Sequence, residues 1–339
     1  MSTPSATAPR NAAPRRLIAI VVLVPVLAAL ALWAFAWPAA RTAPRDLPLG
    51  VAGPTAATAQ VEQRLSTHEG AFDIHRYADE AAAREAIEDR TVYGAVVVTP
   101  QGPELLTASA ASPAVAQLLQ QAVAQQAAAE GTQVKTVDVV AAPENDPRGA
   151  ALTSSVLPLA LAGMAAGAAV TLLGLRGVRA VGALVGAATL IGLGAASIAH
   201  GWLGVLAGNW WAEAGVFALT TLAVSAAVAG LAALVGTAGI GITAATIMLI
   251  GNPFSGAASA PQMLPEPVGV IGQWLPPGAG TTLLRSVSFF DGAAAIGPAL
   301  TLTWWAALGL GAVLLGNALK ARATSTESVP ERELAATSG

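Results

Sequence analysis

The sequence predicts an α-helical polytopic membrane protein with a small α/β extracytoplasmic domain between its first two membrane helices. Of its 339 residues, 54% are hydrophobic and 11% are charged, whereas soluble proteins carry about a quarter charged residues. The charges are also unevenly distributed. Residues 41–148 contain eight basic and fourteen acidic residues, but residues 151–319 contain only six charged residues in all. The long charge-free stretches match the roughly 20 apolar residues that a membrane-spanning helix requires.

The N-terminal region predicts a cytoplasmic tail followed by a membrane anchor. Residues 1–16 are rich in Ala, Pro, Ser and Thr, a composition that predicts a disordered tail. The apolar stretch at residues 17–37 predicts transmembrane helix 1. The small-x-small pattern at residues 34–36 leaves open a cleaved signal peptide. An apolar stretch of about 20 residues exceeds the usual signal-peptide core, which favours an uncleaved anchor.

Residues 41–150 predict an extracytoplasmic α/β domain. Alternating and helical hydrophobic patterns follow the order β-α-β-α-β-β-α-β. Asp73 and His75 share one face of a predicted strand, so we expect a surface ion pair between them. His68 and His75 are seven residues apart, a spacing that does not suggest a metal site.

Residues 151–319 predict a five-helix membrane domain. The fifth span of the chain is the least well defined, because it is short and follows the fourth after a tight turn at Gly236. Residues 320–339 predict a disordered cytoplasmic tail. The five predicted spans are residues 151–175, 180–199, 213–235, 237–252 and 293–319.

The basic residues that flank the spans predict the orientation. With six spans, all of them fall on one side of the membrane, which the positive-inside rule assigns to the cytoplasm. We therefore expect a multi-pass protein of the plasma membrane with cytoplasmic N- and C-termini and residues 41–150 outside. The flanking basic residues are Arg10, Arg15, Arg16, Arg176, Arg179, Lys320 and Arg322.

A Pro-rich segment, residues 253–291, separates the last two spans. Its prolines interrupt any continuous helix, while the stretches 268–275 and 280–290 can form short ones. The segment is too apolar for a solvated linker and predicts re-entrant or interfacial helices. It is either a structural plug or an outer gate. The candidate gate residues are Asn252, Pro253, Ser255, Gly256, Pro265, Trp274, Pro276, Pro277, Gly278 and Arg285.

Small residues at i, i+4 spacing predict close helix packing in the second and third spans. They are Gly163 with Gly167 and Gly182 with Gly186. Such pairs let helix backbones approach closely. The spacing leaves open whether the partner is another helix of the same chain or a second subunit.

The sequence contains no motif for catalysis or for a cofactor. The chain has no cysteine, which excludes thiolate chemistry and disulfides. The glycine-rich run at residues 278–282 lacks the lysine of a phosphate-binding loop, and Pro253–Gly256 only approximates a nucleophile elbow. The formal charge of −3 gives no reason to expect nucleic-acid binding. We expect neither an enzyme nor a metal or cofactor site.

Ionisable residues are absent from the middle of spans two to six. Proton-coupled transporters usually place carboxylates or histidines at that depth. His200 and Glu213 instead flank the outer loop between spans three and four, where we expect interfacial groups. Self-contained proton-coupled transport is therefore not expected, while sodium coupling through backbone carbonyls stays open. Without a phosphate-binding loop in this chain, ATP energy would have to come from another polypeptide.

Two stretches carry a resemblance to a known family. The Pro-rich segment resembles the corresponding element of ABC type-2 exporter permeases. The stretches that carry this resemblance are Ser255–Gly256, Pro261–Pro265, Trp274–Ala279 and Leu283–Ser286. In the outer domain, Asp79–Ile87 and Tyr93–Pro100 resemble the phage-infection-protein-like branch, whose large extracytoplasmic domain follows the first span. The resemblance extends over nearly the whole chain.

This resemblance implies the membrane subunit of an exporter that moves a lipid-like, peptide or drug-like substrate outward. It also implies a homodimer or heterodimer in the lipid bilayer, with a separate cytoplasmic ABC ATPase. One feature departs from the family, because the loop at residues 176–179 offers an ATPase little surface. The alternative is a non-transporting membrane protein that presents its outer domain to an envelope, secretion or phage partner.

Overall fold

The computed structural model describes residues 12–67, 69–131 and 133–336. The first helix, α1 (Ala12–Ala40), is apolar over its whole described surface and is largely exposed. Its outer end contacts the rest of the chain, where Trp37 packs against Phe254, Leu264 and Val268. The helix therefore stands beside the other membrane helices instead of within them.

Residues 41–150, here named the outer domain after the placement predicted above, form a five-stranded mixed sheet with three helices, in the order predicted from the sequence. The strand order is β2-β1-β3-β4-β5, in which only the β3–β4 pair is antiparallel. The elements are β1 (Leu47–Ala52), α2 (Thr55–Ser66), β2 (Phe72–Tyr77), α3 (Glu80–Glu88), β3 (Gly94–Thr99), β4 (Gly102–Thr107), α4 (Pro113–Glu130) and β5 (Lys135–Asp138).

Side-chain caps begin two of the three helices of this domain, α3 and α4. Asp79 accepts a hydrogen bond from the Ala82 amide at 2.9 Å at the start of α3, and Ser112 accepts one from the Val115 amide at 3.2 Å at the start of α4. Such caps satisfy amides that a helix leaves unpaired at its first turn. Gly131 ends α4 in the left-handed conformation at φ 65°. The predicted contact between these two side chains is confirmed: His75 Nε2 lies 3.0 Å from Asp73 Oδ2, while His68 lies outside the described residues.

Within the described residues, five helices are long and apolar enough to cross a membrane. Besides α1 they include a central helix that is far more buried than the remaining three. In its apolar 18-residue stretch, 61% is buried inside the protein, against 22–28% in those three helices. The helices are α5 (Ala150–Leu172), α6 (Gly177–Ala196, continued by a π-helical turn at Ser197–Trp202), the central α7 (Trp210–Val235) and α11 (Ile296–Ala336).

The predicted span at residues 237–252 differs from the other five. It forms α8 (Ala238–Thr246) and a π-helical turn (Ile247–Gly251), a 14-residue stretch instead of a full-length span. The short predicted span is thus an apolar helix at nearly the predicted residues, and it stays a prediction as a sixth membrane crossing. At the start of α8, Gly239 packs on the inner end of α7 beside Ala232. After α8 the chain reaches the outer end of α5, where the Thr153 hydroxyl donates a hydrogen bond to the Ala257 carbonyl.

The Pro-rich segment folds into two short helices joined by irregular chain. They are α9 (Val268–Gln273) and α10 (Pro276–Phe289), preceded by a 3₁₀ turn at Pro261–Met263. Helix α10 begins four residues earlier than predicted. Proline is favoured in the first helical turn, where no intrahelical amide bond is lost, so Pro276 and Pro277 start this helix.

The first and last helices of the described chain extend into the two predicted tails. The backbone of α11 stays helical from the last span to Ala336, and α1 begins at Ala12, so residues 320–336 and 12–16 are helical. Residues 1–11 and 337–339 lie outside the described part of the chain. Because helix formation is limited by nucleation, an existing span extends at little cost into flanks rich in Ala, Arg and Glu.

Candidate functional site

The Pro-rich segment lies between the outer sheet and the membrane helices. On its outer side, the Arg45 amide donates to the Gln262 carbonyl at 2.9 Å and the Ala43 amide donates to the Met263 carbonyl at 3.0 Å. Met263 also packs in the same buried cluster as Leu47 of β1. The segment is thus part of the outer domain's core as well as of the membrane half.

On the membrane side, the carbonyls of Ser255 and Ala257 accept the hydrogen bonds that hold the Pro-rich segment. The Ala257 carbonyl accepts from Thr153 Oγ1 at 3.0 Å and from Arg285 Nη2 at 2.6 Å. The Ser255 carbonyl accepts from Gln273 Nε2 at 2.9 Å. Hydrogen bonds from α5, α9 and α10 therefore converge on one irregular turn.

Three glycines allow the backbones of this segment to touch. A Cβ placed on Gly272 would lie 1.7 Å from the Phe254 carbonyl oxygen. A Cβ on Gly269 would lie 2.1 Å from the Pro261 carbonyl oxygen, and one on Gly278 would lie 2.2 Å from the Gly272 carbonyl oxygen. No larger residue fits at these positions without a backbone shift, so α9 is wedged against the irregular chain before it.

The structure brings most of the predicted gate residues into this one assembly. Gly256 takes a left-handed φ of 68°, and Pro277 packs against Gly251. Trp274 differs from the rest because its side chain is 70% exposed, although its carbonyl accepts from Trp305 Nε1 at 2.8 Å. The remaining members are Asn252 and Pro253, half-buried in the turn after α8, and Ser255, Pro265, Pro276, Gly278 and Arg285, which are buried.

Sequence reasoning missed Arg90, which joins the outer domain to α10. Its Nη1 donates to the Thr282 carbonyl at 3.0 Å and to Ser286 Oγ, and its guanidinium lies 5.1 Å from the centroid of the Phe290 ring. Arg90 sits in the turn after α3 at φ 60°, a conformation that nothing in the local sequence predicts. Its partners are about 190 residues away in the sequence, so a local pattern cannot identify it.

Arg90 and Arg285 both line a cavity of about 540 Å³ between the outer domain and the Pro-rich segment, here named the arginine pocket. Burial lowers the pKa of Arg285 to about 10 and also lowers the pKa of Arg90, and it raises the pKa of Tyr93 beside them. Arginine side chains stay charged in proteins, so both guanidinium groups carry a positive charge. Neither forms an ion pair with a carboxylate of the described residues.

A second and larger cavity, of about 1140 Å³, adjoins this pocket and is here named the apolar groove. It lies between α7, α8, α9 and α11 and shares Gln273 and Trp274 with the arginine pocket. Along α11 it extends from Gly297 to Ala312, about 22 Å at 1.5 Å per residue. Its walls are mainly Leu, Ile, Ala and Trp side chains.

Half-buried His200 and fully buried Glu213 form a pair at the outer ends of α6 and α7. Glu213 is fully buried, and its carboxylate accepts from the Gly208 amide at 3.0 Å and lies 2.8 Å from His200 Nδ1. A Cβ on Gly208 would lie 2.3 Å from the Val287 carbonyl oxygen. The pair therefore holds the loop before α7 against α10, a more specific role than the interfacial one predicted from the sequence.

The four predicted packing glycines fall into two groups. A Cβ on Gly163 would lie 2.9 Å from Val224, and one on Gly167 would lie 2.5 Å from the Ser225 carbonyl, so these two seat α5 on α7. Gly182 and Gly186 of α6 have no atom of the described residues within 4 Å of such a Cβ. Instead, Gly192 is the glycine that brings α6 against α7, 2.5 Å from the Ala214 carbonyl.

One comparison with known proteins bears on this arrangement of an anchor helix, an outer domain and a helical bundle. Residues 15–175 match the family described as ABC-2 family transporter protein. The ABC-2 match covers slightly less than half of the chain and includes α1, the outer domain and α5. It supports a membrane permease of the ABC-2 superfamily. No curated protein and no solved structure matches the chain.

Proposed function

We propose that this protein is the membrane subunit of an ABC-2-type exporter that moves a substrate outward with energy from a separate ATPase. The ABC-2 match over α1, the outer domain and α5 carries the proposal. Five apolar helices of membrane-spanning length support it. The large outer domain after the first span further supports the phage-infection-protein-like branch. In this proposal the termini are cytoplasmic and residues 41–150 lie outside the plasma membrane.

The Pro-rich segment would act as the outer gate. Its contacts to both halves support this role, because Arg90 ties α10 to the outer domain while Arg285 and Gln273 tie α9 and α10 to residues 255–257. Any displacement of α10 relative to α7 would therefore be transmitted to the outer domain. Pro276 and Pro277 give α10 a rigid first turn about which this movement can occur.

A dimer would complete the exporter. Helix α1 supports this, because only 6% of its apolar window is buried inside the chain. The connections at residues 173–176 and 236–237 are short, so they offer an ATPase little surface. The helical extension of α11 after Leu319 is the longer segment on that side, and we propose it as the ATPase contact.

The gate is tested by replacing Pro276 and Pro277 with alanine in the full chain. We expect membrane insertion and dimerisation to be unchanged and export to change, since the variant relaxes the first turn of α10 without removing a hydrogen-bond donor. Pro158→Ala, at an exposed proline in α5 outside the gate and both cavities, is the matched control. Export at the wild-type rate in the double variant would contradict a gating role.

Coupling to an ATPase is tested by co-purification and by substrate-stimulated ATP hydrolysis in liposomes. We expect an ATPase to co-purify with the full chain and to be lost when residues 320–339 are removed. The alternative is a non-transporting protein that presents its outer domain to an envelope, secretion or phage partner, and the short connections at 173–176 and 236–237 favour it. If no ATPase binds the full chain and a deletion strain exports normally, this alternative replaces the exporter.

A further inference from the structure

Arg285 is a buried cation with unused hydrogen-bonding capacity. The residue is only 5% exposed, and its single hydrogen bond among the described residues joins Nη2 to the Ala257 carbonyl. Its Nε and Nη1 atoms have no partner within the described part of the chain. Buried guanidinium groups are normally paired and fully hydrogen-bonded, because removing a charge from water is costly. The arginine pocket therefore contains Arg285 hydrogen-bond donors that have no acceptor among the described residues.

The other groups around the pocket leave this positive charge uncompensated. Arg90 is close enough to lower the pKa of Arg285, and Arg45 also lines the pocket. Two carboxylates, Asp46 and Glu266, line it as well, but both are exposed and neither forms an ion pair with these arginines. Tyr93 donates its hydroxyl to Gln262 Oε1 at 2.9 Å. The pocket thus favours an anion as its occupant.

The apolar groove begins where the arginine pocket ends. Gln273 and Trp274 form the boundary, and the Gln273 side chain is held there by Ser255 and by Thr282, whose Oγ1 donates to Gln273 Oε1 at 2.7 Å. The groove is open toward the surroundings of α11, since Trp304 is 63% exposed and Leu308 is 66% exposed. One ligand can therefore place a polar end in the pocket and an apolar chain in the groove.

We propose that the two cavities together form the binding site of an anionic amphiphile. Its phosphate or carboxylate group would accept hydrogen bonds from the free Arg285 donors beside Arg90, and its hydrocarbon chain would lie along α11 in the groove. Arginine suits this task because its planar fork matches the geometry of both anions. This ligand is the substrate class of the proposed gate, and in that respect the inference rests on the proposed exporter function.

Binding of dodecyl phosphate to the purified full chain in nanodiscs of zwitterionic lipid tests the inference. We expect saturable binding that Arg285→Gln weakens about tenfold or more, because a charge-assisted hydrogen bond is lost. Arg285→Lys, which keeps the charge, should recover part of the affinity. Arg84→Gln is the matched control, since Arg84 pairs with Glu80 on α3, away from the pocket.

Three further probes separate the parts of the ligand. Inorganic phosphate should compete weakly, since it lacks the chain, and dodecyl maltoside should compete weakly, since it lacks the charge. Thr301→Trp, which narrows the groove, should weaken dodecyl phosphate binding and leave phosphate binding unchanged. Equal affinity for inorganic phosphate would mean a free-anion site, and equal affinity for dodecyl maltoside would mean an apolar site; either result overturns the proposal.

Two results would overturn the inference without affecting the exporter. One is wild-type affinity of Arg285→Gln for dodecyl phosphate. The other is a disulfide between two copies of Trp304→Cys in the naturally cysteine-free chain, which would place a second subunit in the groove. Binding is measured without an ATPase, so failure of ATPase coupling would leave these binding results intact.

Discussion

Replacing Gly272 with alanine should disrupt the packing of α9 against the turn before it. The added Cβ would lie 1.7 Å from the Phe254 carbonyl oxygen and 3.2 Å from the Phe254 Cβ. Carbon and oxygen atoms of packed backbones usually approach to no less than about 3.3 Å. The two backbones would therefore have to separate by roughly 1.6 Å, and no flexible side chain can absorb that movement.

The expected loss is about 3 kcal/mol of unfolding free energy. Overpacking usually costs about 1–3 kcal/mol, and a clash between two backbones belongs at the upper end of that range. This loss corresponds to a change of roughly a hundredfold in the unfolding equilibrium constant. Gly241→Ala in α8 is the control, because a Cβ there meets no atom within 4 Å. Alanine is favoured over glycine inside a helix by about 0.5–1 kcal/mol, so the control should be neutral or stabilised.

The assay is unfolding of the purified full chain by titration with sodium dodecyl sulfate, followed by tryptophan fluorescence. The reasoning requires Gly272→Ala to unfold at lower detergent than the wild type and Gly241→Ala not to do so. If Gly272→Ala lies within about 0.5 kcal/mol of the wild type, the close approach of α9 to Phe254 is not a feature of the folded protein.

Three further predictions concern the outer face. Arg90→Gln should lower the free energy of unfolding by about 2–3 kcal/mol, because charge-assisted hydrogen bonds and a cation–π contact are lost. Faster proteolysis of the outer domain in the variant would show this loss of stability. Glu213→Gln should lower the free energy of unfolding by about 1.5–3 kcal/mol, because it weakens the hydrogen bond to His200. Thermal unfolding measures this loss, and an unchanged midpoint temperature would contradict it. Gln101→Cys should react with a membrane-impermeant maleimide in whole cells, and Leu173→Cys should not, because the proposed topology places only the first outside. The reverse labelling pattern would contradict the proposed orientation.

The outer domain was predictable because its patterns are local. Its order of helices and strands follows from hydrophobic periods and caps such as Asp79 and Ser112, all read within a few residues. The long spans were predictable for the same reason, since a charge-free stretch of about 20 residues has few alternatives to a membrane helix. The stretch at 237–252 forms a shorter apolar helix than the other predicted spans, because local residues set its ends. Gly236 and the turn at residues 252–256 end that helix on both sides.

The candidate gate was only partly predictable. The prolines marked the segment, since each fixes a backbone angle regardless of its surroundings. Arg90 and Gln273 could not be identified, because their roles depend on partners in distant parts of the chain. The contrast between Gly163 and Gly182 makes the same point, since both occur in the same G-x-x-x-G spacing and only the first contacts α7.

The sequence by itself determined which parts of this protein are apolar, which are charged and where continuous helix must stop. These properties depend on the solvation and backbone angles of single residues and their neighbours. Only the tertiary structure decided which charges meet. It placed Arg285 and Arg90, from a membrane-side helix and an outer turn, in one pocket where neither pairs with a carboxylate of the described residues, beside a groove lined by α7 and α11. Pairing of charges is a property of contacts between distant segments, and folding alone creates those contacts.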